Sequence, residues 1–454
     1  MRVLLIEPDY RNKYPPLGLM KISTFHKLQG DYVHFFKGCS KELRSKKWDR
    51  IYIATLFTFY WKKTIQTIEF YKNAVKSSAD IFVGGVMASL VGDEIKTETG
   101  VTVIRGLIDK PGILQTRSRL IVDHLIPDYS ILDEIDYKYP VSNAYFGYAT
   151  RGCPNQCPFC AVPKLEPKFH GYAPLREQIE GIESVYGMQR DLILLDNNVL
   201  TSSKFKRIIH DILDLGFEKG AKLNNRMRHV DFNQGIDARR IDEEKIKLLS
   251  KIALYPIRFA YDTEGIKKCY AEAVRLACQH GMYRIGTYVL FNYDETPIQF
   301  FERLKFSVML NKKVDAQITS FPMKFVPFQH RDRSYIGKHW NKRWLRGIQC
   351  VLLATRGQVS PKLDFFGAAF GNDNQEFQKI ITMPEHYIIW REKYRRGEAT
   401  DWAKLFSNLT TIQHSELLDI LNSGRITKER IAKAKGKRLQ DILEHYINEN
   451  ELAK

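Results

Sequence analysis

The sequence contains no uninterrupted hydrophobic stretch long enough to span a bilayer, so a membrane-crossing helix is not expected. The first ten residues, MRVLLIEPDY, carry one basic residue and a very short apolar run before they turn polar. A secretory signal peptide needs a longer apolar core than this. The segment instead predicts a first β-strand, and the sequence predicts no membrane partner.

Cysteine is scarce, with seven among 454 residues, and the number is odd. Four of the seven are scattered without matching spacing, namely Cys39, Cys269, Cys278 and Cys350. A disulfide framework normally shows an even number of cysteines at regular spacing, so the sequence favours reduced thiols and a cytoplasmic location. The scattered cysteines are interpreted as small buried apolar residues.

Acidic residues are fewer than basic ones, 52 against 70, which gives a formal net charge of +18. This excess favours polyanionic partners, either nucleic acid or anionic metabolites, without choosing between them. Hydrophobic residues make up 44% of the chain, which is enough for two or three packed domains.

The N-terminal third alternates short apolar runs with amphipathic ones. RVLLIEP, DYVHFFKG, DRIYIATLF, ADIFVGG and GVTVIRG predict strands, with helices between them. This alternation predicts an α/β, Rossmann-like parallel sheet domain over residues 1–125, with ligands at the carboxyl ends of its strands. The turn at Gly84 and Gly85 lies at such an end, and is read equally as a tight turn or as a cofactor contact. Residues 116–142 are predicted to form a linker.

A second alternating series follows between about residues 140 and 328. Its six predicted strands lie in AYFGYATRG, DLILLDNNVL, HVDFNQGID, YPIRFAYDTEG, YRIGTYVLFNYDET and DAQITSFPMKF. Six units are too few for a closed eight-stranded barrel, so a central partial (βα)6 barrel is expected. Beyond it, residues 329–454 are predicted to form a helical, basic C-terminal region.

Three cysteines, Cys153, Cys157 and Cys160, share one short loop in TRGCPNQCPFCAVP. Thiolates at such spacing bind a soft metal or an iron–sulfur cluster. Structural zinc normally has four ligands, and a zinc site here would need His170 as the fourth. A [4Fe-4S] cluster held by three thiolates keeps one iron open, by the logic that separates catalytic from structural zinc sites. Three cysteines rather than four therefore favour catalysis.

The pattern C-x-x-x-C-x-x-C, with Phe159 before the last cysteine and a strand before the loop, resembles the radical S-adenosylmethionine superfamily. The resemblance covers about residues 140–328. It implies an iron–sulfur enzyme whose open iron binds S-adenosylmethionine through the amino and carboxylate groups of that cofactor. Reductive cleavage would then release a 5′-deoxyadenosyl radical. A reducing electron donor of the flavodoxin or ferredoxin-like kind is implied as a partner.

The same resemblance implies further cofactor-binding residues. Phe159 is expected to face the adenine, and the second and third strands of the series end in polar residues. Those candidates are Asp196, Asn197 and Asn198, then Asn233, Gln234, Asp237 and Arg239. For Asp237 and Arg239, an ordinary helix cap and a surface charge are equally good interpretations. The glycine–glycine–glutamate pattern of the family is absent, and Asn292 and Tyr293 replace small residues of a GFPGET-like region.

The N-terminal domain resembles the cobalamin-binding domains that are fused to some radical enzymes. The Asp-x-His-x-x-Gly loop that supplies a cobalt ligand is missing, because EPDYRNKYPPLG contains no histidine. Some relatives bind cobalamin without that ligand, so the question of whether this domain binds cobalamin stays open. Methylthiotransferases carry a second cysteine triad in this domain, whereas only Cys39 is present here, which argues against methylthiolation.

The leading hypothesis is a radical S-adenosylmethionine enzyme that modifies an unknown substrate. Nucleic acid or a nucleotide-like molecule is the first candidate for that substrate. Two alternatives stay open: a cobalamin-dependent radical methyltransferase acting on a small metabolite, and a non-catalytic iron–sulfur protein that binds nucleic acid or senses redox state. The sequence leaves the electron donor, the oligomeric state and the role of the C-terminal region undetermined.

Basic and aromatic residues lie side by side in the C-terminal region. Lys342, Arg343 and Arg346 are beside Trp340 and Trp344. A second basic group follows at Lys433, Lys435, Lys437 and Arg438. Such a mixture predicts a surface for a polyanion, with phosphates at the cations and bases on the rings. Solvated helices with tryptophans in the core are the alternative.

Overall fold

The computed structural model describes residues 1–447 and divides into two compact units. The first unit comprises Met1–Ile257 and Val326–Tyr335, and the second comprises Arg258–Phe325 and the chain from Ile336 onward. The first unit therefore holds the predicted N-terminal domain together with the first half of the predicted barrel. The three predicted domains, 1–125, 140–328 and 329–454, stay a prediction.

The N-terminal sheet of the first unit has five strands in the order β2-β1-β3-β4-β5, all paired in parallel. This is the order of flavodoxin-like doubly wound folds. Every strand predicted here is confirmed: β1 (Arg2–Glu7), β2 (Tyr32–Lys37), β3 (Arg50–Thr55), β4 (Ile81–Gly85) and β5 (Thr102–Val103). The helices are α1 (Leu17–Lys27), α2 (Lys41–Ser45), α3 (Trp61–Tyr71), α4 (Val86–Leu90) and α5 (Gly92–Thr99).

Local chemistry explains these elements. Val3 to Glu7 of β1 are all buried, as expected for an interior strand of a sheet covered on both faces. The turn from β4 into α4 requires glycine at position 85, where φ is +105° and an added Cβ would lie 2.3 Å from the carbonyl oxygen of Thr55. The tight-turn interpretation of the Gly84–Gly85 segment is thus confirmed.

A second parallel sheet in the first unit has the order β10-β7-β6. Its strands are the first three of the predicted barrel series, and a short antiparallel hairpin that the sequence did not predict precedes the last of them. The bounds are β6 (Ala144–Gly147), β7 (Asp191–Leu194), β8 (Lys222–Leu223), β9 (Arg226–Met227) and β10 (Val230–Phe232). The helices are α6 (Val162–Leu165), α7 (Leu175–Tyr186), α8 (Phe205–Asp214) and α9 (Glu243–Leu249).

The segment predicted as a linker packs closely against the rest of the first unit. Asp128 is 2% exposed and accepts hydrogen bonds from Ser23 of α1 at 2.6 Å and from Tyr186 of α7 at 2.9 Å. The hydroxyl of Tyr139 donates to Glu7, at the end of β1. These buried polar contacts tie the segment to both sheets of the unit.

The second unit contains a three-stranded sheet in the order β11-β12-β13, where β12 and β13 pair in parallel over their whole length. Its strands, the last three of the predicted series, are β11 (Ile257–Ala260), β12 (Arg284–Phe291) and β13 (Gln317–Lys324). The structure thus contains all six predicted strands as two three-stranded sheets. Their union in one partial barrel stays a prediction.

The remaining described elements are helical, as predicted for the C-terminal region. The α-helices are α10 (Lys267–Gln279), α11 (Pro297–Val314), α12 (Lys342–Ala354), α13 (Leu363–Phe370), α14 (Asn374–Thr382), α15 (Glu385–Ile389), α16 (Arg391–Tyr394), α17 (Glu398–Ser407), α18 (Thr411–Asn422), α19 (Lys428–Ala432) and α20 (Lys437–Glu444). The 3₁₀ helices of the chain are Thr58–Tyr60, Lys72–Ala74, Ser78–Asp80, Val122–His124, Tyr129–Glu134, Val199–Thr201, Ala238–Arg240 and Glu264–Ile266. Among the described helices, none has the length and apolar character needed to cross a membrane.

The first basic and aromatic group of the C-terminal region does not form an open surface. Trp340 and Arg343 are only 6% and 5% exposed, and the Arg343 guanidinium donates to the backbone carbonyl oxygens of Thr382 and Met383. Arg346 pairs with Glu385 at 2.5 Å. Trp340 and Arg343 therefore complete the packing of the helices, as the alternative has it. A polyanion contact at the exposed Lys342 stays a prediction.

Asn292, which replaces a small residue of the GFPGET-like region, is fully buried. Its side chain donates to the carbonyl oxygen of Phe325 at 3.0 Å and accepts from the backbone N–H of Gly337 at 2.7 Å. The neighbouring Tyr293 ring packs edge-on against Phe325, with centroids 4.8 Å apart. Asn292 and Tyr293, which depart from the family pattern, thus stabilise the position of the segment that follows β13.

Candidate cofactor site at the cysteine loop

The cysteine loop begins where β6 ends, and Asp196 holds that beginning in place. The Asp196 carboxylate, 1% exposed, accepts from the backbone N–H of Ala149 at 3.1 Å, and from both the backbone N–H and the hydroxyl of Thr150. Burial raises the pKa of Asp196 to about 6, although these hydrogen bonds act to lower it. The predicted cofactor contact at Asp196 is therefore a support for the loop.

Glu166 fixes the next part of the loop. Its carboxylate accepts from the backbone N–H of Gly152 at 2.6 Å, from the Arg151 guanidinium at 3.0 Å and from the Asn197 amide at 3.2 Å. Gly152 has φ +74°, and a Cβ there would lie 2.4 Å from the carbonyl oxygen of Lys168. Asn197, a predicted cofactor contact, thus points to Glu166, a residue that the sequence did not single out.

All three loop cysteines are reduced and partly exposed. The backbone N–H of Cys160 donates to the carbonyl oxygen of Cys157 at 3.0 Å, which closes a tight turn between them. His170 is exposed and pairs with Arg151 through backbone hydrogen bonds. Within residues 1–447, no group of three or more histidine, cysteine, aspartate or glutamate side chains is close enough to hold a metal ion.

Asn198 lies against the first cysteine. Its Nδ2 donates to Sγ of Cys153 at 3.5 Å and to Oδ2 of Asp237 at 3.2 Å. The residue is only 3% exposed, and among the described residues its buried Oδ1 has no hydrogen-bond partner. Leaving a buried acceptor unpaired costs about 1–3 kcal/mol. This carbonyl oxygen is therefore suited to a donor that a ligand would bring.

Asp237 links the cysteine loop to the end of β10. Its carboxylate caps the 3₁₀ helix Ala238–Arg240, accepts from Asn155 at 3.0 Å and pairs with Arg239 at 2.7 Å. Burial of the carboxylate acts to raise its pKa, but the hydrogen bonds and charge of Arg239 outweigh this, and the pKa is lowered overall. Asp237 is thus a cap, as one of the two interpretations had it, and also a support for Asn155 and Asn198.

Arg239 supplies positive charge beside the second cysteine. Its pKa is raised first by the hydrogen bond to Asp237, and also by the charge of Cys157 and a hydrogen bond with it. The side chain is 44% exposed. Hydrogen-bonding and charged side chains thus lie beside the sulfurs of both Cys153 and Cys157.

The last two predicted contacts, Asn233 and Gln234, belong to a cavity rather than to the cysteines. The hydroxyl of Tyr14 donates to Oδ1 of Asn233 at 2.6 Å, and both Asn233 and Gln234 line a cavity of about 650 Å³. The cavity lies at the carboxyl ends of β1, β3 and β4, where ligands bind in open parallel sheets. Phe159 is half-buried on the cysteine loop.

The cavity extends from the N-terminal sheet to the cysteine loop. Glu7, Thr55 and Gly84 line it from the N-terminal sheet, and Arg151 and Glu166 line it from the loop. Its described lining residues include no histidine, in keeping with the absent Asp-x-His-x-x-Gly pattern. The site thus combines a thiol-bearing loop with an adjoining cavity, both within the first unit.

Sequence reasoning missed Glu166, Asn155 and Tyr14. Asn155 lies inside the cysteine motif, between its first two cysteines, so its position alone could have drawn attention to it. Glu166 acts on residues 14 and 31 positions away, and Tyr14 on one 219 positions away. None of these three long-range contacts leaves a signal in the local spacing of the sequence.

Two solved structures share this fold. Both are TsrM from Kitasatospora setae, a radical S-adenosylmethionine methyltransferase, one with cobalamin and a [4Fe-4S] cluster bound and one with tryptophan substrate and an aza analogue of S-adenosylmethionine. Each matches with a TM-score of 0.52 and 14% sequence identity over 77% of this chain, and over 78% and 76% of the respective TsrM chains. The chain has the fold of this radical S-adenosylmethionine methyltransferase.

The resemblance that the cysteine motif suggested is thus confirmed for the fold. The match to TsrM spans more of the chain than the predicted barrel alone. No protein-family model and no curated protein matches the sequence.

Proposed function

We propose that the chain is a radical S-adenosylmethionine enzyme whose Cys153, Cys157 and Cys160 bind a [4Fe-4S] cluster. The observation that carries this proposal is a loop of three reduced, partly exposed thiols at the end of β6, in a chain with the TsrM fold. A bound cluster would supply the electron that cleaves S-adenosylmethionine to a 5′-deoxyadenosyl radical. A flavodoxin or ferredoxin-like protein in the cytoplasm would supply that electron.

The residues around the thiols fit an anionic iron–sulfur centre. Two donors point to Cys153, the backbone N–H of Asn155 at 3.4 Å and the Asn198 amide at 3.5 Å. Arg239 adds a cation beside Cys157. Hydrogen bonds and charge near the sulfurs set the potential of such clusters. Within the proposal these three residues stabilise the cluster without ligating it.

S-adenosylmethionine would bind beside the iron that no cysteine ligates. The buried Oδ1 of Asn198 offers an acceptor for the amino group of that cofactor, because it is close to Cys153 and has no partner among the described residues. Phe159, on the same loop, would pack against the adenine. In this proposal the six strands form one partial barrel, of which β6, β7 and β10 are one half.

Cobalamin-dependent methyl transfer is the reaction that the cavity favours. A cavity of about 650 Å³ at the carboxyl ends of β1, β3 and β4 falls within the usual range for cofactor sites. TsrM, which shares the fold, has been solved with cobalamin bound. In this proposal, cobalamin would lie against Gly84 and the backbone of the strand ends, without a histidine ligand from the protein. It would carry the methyl group that is transferred.

Anaerobic reconstitution tests the proposal. The full chain would be loaded with iron and sulfide, reduced in the presence of S-adenosylmethionine, and assayed for 5′-deoxyadenosine and for methyl transfer from labelled S-adenosylmethionine. Retention of hydroxocobalamin during gel filtration, seen by its visible absorption, tests the cavity. Replacement of the three cysteines by alanine serves as the control.

A non-catalytic cluster protein gives a different result. In that case S-adenosylmethionine leaves the spectrum of the reduced cluster unchanged and no cofactor fragment forms. The enzyme proposal requires a spectral change on addition of S-adenosylmethionine, since the cofactor chelates the open iron.

A further inference from the structure

Phe57 belongs to a group of aromatic and basic side chains, in which Phe57 and the three cations are exposed and the other two rings are partly buried. We call it the aromatic–basic rim, and it comprises Phe57, Phe59, Phe328, Lys164, Arg331 and Arg333. Phe57 lines the cavity, yet 53% of it is exposed to solvent. Its ring stacks on Phe59 with centroids 5.1 Å apart and an angle of 18° between the planes. A large aromatic side chain with this much of its surface exposed to solvent offers a face on which a ligand can stack.

The cations of the rim are held against aromatic rings. The Arg333 guanidinium lies 4.1 Å from the Phe59 ring centroid, and the Lys164 ammonium lies 5.3 Å from that of Phe328. Arg331 lies 4.0 Å from the ring centroid of Trp61 and pairs with Glu98 at 3.4 Å. A guanidinium carries five N–H donors, so one that stacks on a ring and already has a hydrogen-bond partner can still donate to a further anion.

The members of the rim come from three parts of the first unit. The turn Thr58–Tyr60 and helix α6 both pack against α4, which places Phe59 and Lys164 on the same side of the N-terminal sheet. The segment Val326–Tyr335 belongs to the first unit as well and brings Phe328 and the two arginines. The rim is therefore assembled by the fold, since no short stretch of sequence contains it.

We propose that the aromatic–basic rim binds a nucleotide unit of the substrate, with the base stacked on Phe57 and the phosphate at Arg331 and Arg333. Stacking on an aromatic ring beside cations is how proteins bind unpaired nucleotides without reading their sequence. The rim borders the cavity in which the proposed methyl transfer takes place, and in this respect the inference rests on the proposed function. The charge excess of +18 fits the same ligand.

Fluorescence anisotropy tests the binding itself. The full chain, with and without a reconstituted cluster, is titrated into labelled single-stranded RNA and DNA of mixed sequence at several salt concentrations. Phe57→Ala should weaken binding about tenfold, the size of one lost base stack. Removal of both arginines in R331A/R333A should weaken it further and lower the slope of log affinity against log salt by about 1.4, as expected for two phosphate contacts to a single strand.

A matched control removes the same charge elsewhere. The K247A/K251A variant loses two exposed cations, in α9 and just after it, that belong to no predicted polyanion surface, and should bind like the unchanged chain. Equal weakening by both double variants, or no binding at low salt, would overturn the proposal. Melting temperature is followed in parallel. A lower value for R331A/R333A with unchanged binding would show that the arginines only fasten their segment, which also overturns it.

Competition identifies the source of the nucleotide. Unlabelled uridine and adenosine monophosphates displace the labelled oligonucleotide at micromolar concentration if the substrate is a free nucleotide, and only at much higher concentration if it is a polynucleotide. Both results support a nucleotide site at the rim. Iron content is measured in every variant and should not change, so that failure of the cluster and failure of the rim are told apart.

Discussion

The side-chain amide of Asn198 donates a hydrogen bond to Sγ of Cys153 across 3.5 Å, although the two residues are 45 positions apart in the chain. The same amide donates to Asp237, so one buried group connects the ends of β7 and β10 to the cysteine loop. The environment of the proposed cluster is therefore built mainly by amide donors and by the cation of Arg239.

Asn198→Asp tests this connection. The substitution keeps the size of the side chain but places a carboxylate beside a thiolate and beside Asp237, and it removes both hydrogen bonds. We expect the midpoint potential of the reconstituted cluster to fall by about 60 mV, the one-electron equivalent of losing about 1.4 kcal/mol. The measurement is a redox titration followed by electron paramagnetic resonance. An unchanged potential would show that Asn198 does not contact the cluster.

Replacement of a single loop cysteine should abolish the cluster. Cys153→Ala, Cys157→Ala and Cys160→Ala each remove one proposed ligand, and each should lose most of the bound iron and its visible absorption after anaerobic reconstitution. Cys269→Ala is the matched control, because this cysteine lies in α10 and, like Cys39, is exposed, so the interpretation of both as buried residues was wrong. Full iron content and full activity in Cys153→Ala would disprove the assignment.

Phe159→Ala separates cofactor binding from cluster binding. The ring is expected to pack against the adenine, so its loss should weaken S-adenosylmethionine binding while iron content stays largely unchanged. Equilibrium dialysis with labelled S-adenosylmethionine gives the affinity. A variant that binds this cofactor normally would show that the ring only packs the loop.

Asp196 predicts a pH dependence of stability. Its pKa is raised from the ordinary value of 3.8 to about 6 by burial, so the folded chain holds the proton more tightly than the unfolded chain. The stability that this proton contributes is present below about pH 4 and is lost as pH rises through about 6, by about 3 kcal/mol in total. The nearby Arg151 acts in the opposite direction and is included in the net shift.

Thermal melting of the metal-free chain and of Asp196→Asn checks this. The asparagine variant cannot titrate at this position, so the melting temperature of the unchanged chain should fall relative to that of the variant between pH 4 and pH 7. A difference that stays constant over this range would contradict the raised pKa.

Local patterns were sufficient to predict the strands. Apolar runs such as VLLI in β1 and LIL in β7 are short, bounded by polar residues and fully or almost fully buried in the structure. The cysteine loop was predicted because its residues are adjacent in sequence. In both cases the information lies within about ten neighbouring residues, which is the range over which periodicity and motif spacing act.

Contacts between distant segments could not be predicted in the same way. Asp196 follows a buried strand, just as a ligand-binding carboxylate would, and only the fold shows that it faces the backbone of Thr150. Trp340 and Arg343 have the composition of a nucleic-acid surface, yet tertiary packing buries both. Residue type at a strand end or on a helix thus predicts the available chemistry, while the packing of other segments decides how it is used.

Asp128 also bears on how chains of this fold exchange parts in evolution. Its buried carboxylate joins α1 of the N-terminal sheet to α7, which follows the cysteine loop. A recombination event that swapped only residues 1–125 would separate this carboxylate from Ser23 and leave Tyr139 without Glu7. An exchange that carried the chain to about residue 143 would keep these two pairs together and leave the bond from Tyr186 to Asp128 across the boundary, so the unit of inheritance is longer than the sheet domain itself.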